Sequence, residues 1–281
     1  LQAHLHHHSA LGSNGSCLRC SLAQDLYTLA QPGRAGNFQP DTILPKFLQN
    51  WAPSFQFGQQ ECAGEAFSLL MDALHTEDFE EIIRLVPPAQ ALAVQSTTCA
   101  ADFFQIEWEV KIQCSQPGCT YCHLATECKF GLSLELPEDN VAISDLIETH
   151  FAVETMEDHT CEQCGGFETC RKHKVVKRWP PVLMLHLERF ERLSSGRLRK
   201  ISDPVFFEEI MPIQNAEYSL QATIEHEGSL GGGHYVAFAR DSSNDFCLLN
   251  DWRGPEKQSF EYVRSQKLDR EAYLMTYQLI A

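Results

Sequence analysis

Residues 231–252 read GGGHYVAFARDSSNDFCLLNDW. Gly231, Gly232 and Gly233 give the backbone freedom and room for close approach just where His234 opens a strand that runs to Arg240. Ser242-Ser243-Asn244 reads as the turn of an antiparallel hairpin, and the returning strand ends at Leu249-Asn250-Asp251. Such a hairpin brings Asn250 back beside His234, because residues across two paired strands are neighbours. A histidine presented at a glycine-lined strand mouth, with an amide to orient its ring, is expected to work rather than to fill space.

An imidazole held by Asn or Asp is the middle of a triad whose remaining member is a serine or cysteine nucleophile. The chain carries 12 cysteines in 281 residues, too sparse for a disulfide scaffold. Besides Cys17/Cys20, four of them fall in two Cys-x-x-Cys pairs, Cys119/Cys122 and Cys161/Cys164, with 38 residues between the pairs. That spacing is the grammar of a zinc site, since two sulfurs at a tight turn converge on one ion at about 2.3 Å. The first pair sits in the Pro-Gly reversal CSQPGCTYCH (114–123), and Gly165-Gly166 follows the second as a hairpin turn requires. Cys114 is an alternative to Cys119 or Cys122 as ligand, while Cys128 and Cys170 read as strand residues. A closed four-sulfur site is structural, because catalysis needs an open position on the metal.

Upstream the hydrophobic period is that of helices. Leu18, Leu22, Leu26 and Leu29 recur at helical spacing until Pro32-Gly33 stops them. Asp41 is placed to cap a short helix carrying Ile43, Leu44, Phe47 and Leu48, with Pro45 in its first turn. A third helix covers ECAGEAFSLLMDALH (61–75), and Thr76 reads as the cap of a further one ending at Pro87-Pro88. After about Gln105 the period falls to 2: Ile106–Gln113, Phe130–Leu136, Phe167–Trp179, Val182–Phe190, Tyr218–His226, His234–Arg240 and Ala272–Ile280 read as strands, with a helix around Ile143–Phe151. His4, His6, His7 and His8 lie in an aperiodic lead-in and are assigned nothing.

Acidic residues outnumber basic ones 38 to 22, a formal net charge of -16. Such a surface repels phosphate backbones, which excludes a nucleic-acid partner, and no apolar run reaches the roughly 20 residues of a membrane span. Unpaired cysteines and the lack of a visible signal peptide point to a reducing, intracellular compartment, cytoplasmic or nuclear. The first residue is Leu1 rather than Met, so a fragment or processed product is expected.

Taken together, the block from GHYVAFARD (233–241) through LLNDW (248–252) to AYLMTYQL (272–279), the strand VLMLHLERF (182–190), the knuckles flanking LSLEL (132–136) and the helix motif QQECAGEAF (59–67) resemble the ubiquitin-specific proteases. The resemblance covers about residues 15 to 281, with the motifs in the family's order. It implies an α+β, papain-like cysteine protease shaped as a right hand: a helical thumb over about 18–100, fingers with a structural zinc site over 105–180 and a palm over 181–281. It further implies a thiol deubiquitinase acting after the C-terminal glycine of ubiquitin, with ubiquitin and ubiquitinated proteins as partners.

Residue by residue, His234 matches the family's general base, Asn250 the orienting third position, and Asp251 an adjacent assistant. Tyr235 matches a residue lining the groove for the ubiquitin tail. Cys119, Cys122, Cys161 and Cys164 match the finger ligands. Two departures stand out. The family's nucleophile sits in an Asn-x-x-x-x-Cys box, and none occurs in these 281 residues; it is expected upstream of Leu1, leaving a base without a nucleophile and no activity in this segment alone. Where relatives read Gln-Glu-Asp-Ala-His-Glu-Phe, this chain has Gln60-Glu61-Cys62-Ala63-Gly64-Glu65-Ala66. Glu65 is retained as a contact to arginines of the ubiquitin tail, but the Asp is replaced by Cys62. Losing one charge-assisted hydrogen bond removes about 1.5–3 kcal/mol, so weaker tail binding, or an inactive ubiquitin-binding module of the same fold, is the alternative expectation.

Overall fold

The computed structural model describes residues 17–29, 42–56, 59, 61–90, 92–137, 139–229, 232–251, 253–265 and 268–280. The histidine lead-in, Pro32-Gly33, Asp41, Gln60, Gly231 and Trp252 fall outside them. In chain order the main elements begin with helices α1 (Leu18–Leu29), α2 (Ile43–Asn50) and α3 (Ala63–Ile83). Strands β1 (Gln105–Cys114), β2 (Cys122–Phe130) and β3 (Leu132–Glu135) follow, then α4 (Ile143–His150), β4 (Cys170–Arg178) and β5 (Val182–Glu188). The last part holds β6 (Ala216–Ser229), β7 (Gly232–Arg240), β8 (Phe246–Leu249), β9 (Glu256–Gln258), α5 (Phe260–Ser265) and β10 (Ala272–Leu279). The chain divides into two compact units, one of residues 1–102 and 222–266, the other of 103–221 and 267–281.

In the first unit, α1 is seated on α3 through polar groups. The Glu77 carboxylate accepts from the Leu18 amide at 2.7 Å, and Arg19 pairs with the buried Asp78 and, at 2.8 Å, with Glu81. Asp25 of α1 caps α2 by accepting from the Ile43 amide at 2.8 Å and from the Thr42 hydroxyl. The N-cap position of α2 is Thr42, whose own side chain caps nothing. Thr76 begins no new helix: α3 runs unbroken for 21 residues. Neither Gly nor Pro occurs between His75 and Ile83, so the backbone has no reason to stop before Pro87. Strand β7 buries Val236 and Phe238, the alternation of a sheet with one covered face, while β8 buries the adjacent Phe246 and Cys247.

The second unit holds an antiparallel sheet in which β1 is flanked by β2 and β4. It also holds β5 between the parallel β3 and the antiparallel β10. Leu183, Leu185 and Leu187 of β5 are fully buried, as are Tyr273 to Met275 on β10. α4 buries Ile143, Leu146 and Ile147, an i, i+3, i+4 stripe. The Arg189 guanidinium, also fully buried, donates to the carbonyls of Ala272, Ile201 and Asp203 at 2.6, 3.1 and 3.2 Å.

Candidate active site and metal centre

The β7–β8 hairpin is set by its turn. The Asp241 carboxylate accepts from the Ser243 and Asp245 amides at 2.8 and 3.1 Å, and Asn244 takes the left-handed conformation at φ +66. Those amides hold the Asp241 carboxyl below the usual range. With the turn fixed, Arg240 faces Phe246 and Ala237 faces Leu249, so the chain leaves the ladder at Asn250. His234 Nε2 then lies 2.8 Å from Asn250 Oδ1, and Asp251 Oδ2 is 3.8 Å from the same nitrogen. An amide oxygen only accepts, so this contact is a hydrogen bond in the tautomer that carries the proton on Nε2 and leaves Nδ1 as the acceptor.

The glycine before the histidine is obligatory on steric grounds. A Cβ at Gly233 would lie 2.3 Å from the buried His226 ring and 2.4 Å from the Glu227 carbonyl, closer than any side chain tolerates. Tyr235 turns its ring onto His226, with centroids 4.8 Å apart, and its hydroxyl accepts from the Ala63 amide at 3.4 Å. Burial pushes its phenol up. Cys62 is the N-cap of α3, its sulfur accepting from the Glu65 amide at 3.4 Å, and Glu65 itself is exposed. The first unit therefore joins His234, Asn250, Asp251, Tyr235 and the start of α3. His226 was not singled out in the sequence, although its spacing from Tyr235 places the two opposite each other in the β6–β7 register.

The four sulfurs that converge in the second unit are those of Cys114, Cys119, Cys161 and Cys164, all within 4.8 Å of one another. Cys114 stands in the place expected for Cys122. The turn ends at Tyr121, and Cys122 already belongs to β2, paired with Gln113 and exposed like it, whereas Cys114 alternates to the buried face. Sulfurs at about 2.3 Å from a central ion in a tetrahedron are about 3.8 Å apart. The separations of 3.7 Å for Cys114–Cys164 and 3.8 Å for Cys119–Cys161 fit zinc. Gly165 at φ +70 closes the second knuckle, where the Cys161 amide donates to the Gly166 carbonyl at 2.9 Å. The Gln163 amide nitrogen donates to Thr120 Oγ1 at 3.1 Å and ties the two turns together.

The family model described as ubiquitin carboxyl-terminal hydrolase matches residues 2–277. The chain belongs to this family. Among curated ubiquitin carboxyl-terminal hydrolases it is 27% identical over 268 residues to ubiquitin carboxyl-terminal hydrolase 2 of Gallus gallus, covering 83% of this chain and 72% of that protein. It is 24% identical over 257 residues to ubiquitin carboxyl-terminal hydrolase 8 of Saccharomyces cerevisiae, covering 84% and 52%. The chain thus spans about half of some relatives and nearly three quarters of another. Solved structures with the same fold include a SAGA DUB module of Ubp8, Sgf11, Sus1 and Sgf73 bound to monoubiquitin. That one has a TM-score of 0.75 at 24% identity over 94% of this chain and 59% of that one. The same module bound to ubiquitin aldehyde gives 0.72 at 21% identity over 96% and 61%. The α+β fold of the ubiquitin-specific proteases, read from the dispersed motifs, is the fold found. Among the described residues no helix is long and apolar enough to cross a membrane.

Proposed function

We propose that this chain is the base-bearing part of a thiol-dependent deubiquitinase that hydrolyses the bond after the C-terminal glycine of ubiquitin. The observation that carries the reading is the 2.8 Å contact between His234 and Asn250. In this mechanism His234 Nδ1 takes the proton of a cysteine thiol, the thiolate attacks the carbonyl, and the imidazolium returns the proton to the departing amine, leaving a thioester that a water molecule, deprotonated by the same ring, cleaves to the free carboxylate and the regenerated thiol. Asn250 keeps the ring in the tautomer that leaves Nδ1 basic, and Asp251 stabilises the imidazolium from the exposed side. Tyr235 and Glu65, at the mouth of the same unit, are read as contacts for the ubiquitin tail.

The nucleophile of this reading is a cysteine outside the twelve present. Cys62 is engaged as a helix cap, and burial pushes the Cys17 thiol up to about 12, the wrong direction for a nucleophile. The four-sulfur cluster is read as a structural zinc site that pins two turns. Twelve cysteines with no disulfide among them suit a reducing compartment inside the cell. A second reading, an inactive ubiquitin-binding module, is favoured by Cys62 standing where relatives have Asp. Treating the full-length protein with a ubiquitin bearing a C-terminal electrophile separates the two. Covalent labelling that His234→Ala abolishes supports the protease, while saturable ubiquitin binding without labelling supports the module and overturns it.

A further inference from the structure

The zinc reading leaves one thiol over. Cys170 opens β4, is fully buried, and shares one cluster with Cys114 and Cys161, against which Cys119 also packs. In the β1–β4 register it stands directly opposite Cys114. The kind of pairing decides how close the two side chains come. The Ser115 amide donates to the Thr169 carbonyl at 2.8 Å, so those two residues form the hydrogen-bonded pair. The Cys114 amide points away, to the Tyr121 carbonyl, and the Cys170 carbonyl points away to the Met156 amide. Cys114 and Cys170 are therefore a non-hydrogen-bonded pair, the closer kind, with Cα atoms about 4.5 Å apart and side chains abreast on one face. Had packing been the only demand, an alanine or valine would have met it at this strand position.

A tetrahedral ion takes four ligands, and here Cys170 packs against Cys114 and Cys161, beside the place where four sulfurs converge. We propose that Cys170 is a reserve zinc ligand. When the Cys114 sulfur is lost or chemically blocked, the Cys170 thiol releases its proton to solvent and binds as thiolate. The ion then rests on Cys119, Cys161, Cys164 and Cys170. One metal–sulfur bond breaks and another forms, with no oxidant or reductant involved. The inference rests on the zinc reading of the tetrad.

The test loads the 281-residue chain and its variants with zinc or cobalt(II), and measures metal per chain, affinity by chelator competition, and the cobalt spectrum. Cys114→Ser is expected to hold one ion per chain with a four-sulfur cobalt spectrum. Cys114→Ser/Cys170→Ser is expected to give a three-sulfur spectrum and at least tenfold weaker zinc, and Cys170→Ser alone to match the unaltered chain. A three-sulfur spectrum in the Cys114→Ser single variant, or affinity no better than the double variant, overturns the proposal. The Cys161→Ser and Cys161→Ser/Cys170→Ser pair repeats the comparison at the other neighbour of Cys170, should position 114 not tolerate serine. An unaltered chain that takes up no zinc removes the zinc reading and this inference with it. A tetrad that binds zinc but has no substitute removes this inference alone.

Discussion

The Tyr235 hydroxyl accepts a hydrogen bond from the Ala63 amide at 3.4 Å, across 172 positions of sequence. The residue that follows the catalytic candidate is thereby fastened to the first turn of α3, which also carries Cys62 and Glu65. Tyr235→Phe removes the bond and little else. It is expected to lower the unfolding free energy by about 1 kcal/mol, read from denaturant midpoints, and, under the proposed function, to raise KM more than it lowers kcat in the full-length protein.

Asn250→Ala takes away the oxygen that lies 2.8 Å from His234 Nε2, and with it the proposed orienting contact. In the full-length protein kcat/KM for a ubiquitin C-terminal amide should fall about 100-fold, at the low end of what general base catalysis contributes. Asn250→Asp keeps an acceptor oxygen and should lose far less. Equal losses in both variants would remove the orienting role.

The alternation at the end of β1 separates two cysteines that composition alone cannot. Cys122→Ser should leave zinc content at one ion per chain and the melting temperature unchanged, because the exposed Cys122 is not among the converging sulfurs. Removing the metal with a strong chelator should release the turns around Cys119 and Cys161 to proteolysis while β5 and β10 stay protected. Zinc loss in Cys122→Ser would restore the Cys-x-x-Cys assignment.

Arg189 satisfies two buried carbonyls and a half-buried one at once. Arg189→Met fits the space but leaves those acceptors without a donor, and should cost about 3 kcal/mol or more. An unchanged denaturation midpoint would show that water replaces the guanidinium.

His75 and His186 have their pKa lowered by burial. A histidine that is harder to protonate when folded contributes stability that is complete above the unfolded value near 6.5 and is lost as pH falls through the lower folded value. The chain should therefore be less stable at pH 5.5 than at pH 7.5, and His186→Phe should shrink the difference.

The hairpin bearing His234 and Asn250 was legible because all its determinants are local: glycines at the mouth, Ser-Ser-Asn at the turn, and an interval that returns one side chain to the other. Three of the four converging cysteines were legible for the same reason. The fourth was not, since the choice between Cys114 and Cys122 depends on where the turn ends and which face each strand residue takes, and a ladder decides that. The cap of α2 was hidden because Asp25 reaches it from another helix. Thr76 misled because a residue that often starts helices is also tolerated inside one when nothing nearby breaks the backbone.

The unbroken run from Ala63 to Ile83 makes α3 a strut about 31 Å long at 1.5 Å per residue. One end is braced by Tyr235, and Arg19 grips Asp78 and Glu81 near the other. A rod without a hinge moves both ends together, so disturbance of the seat of α1 is delivered to the strand that presents the imidazole.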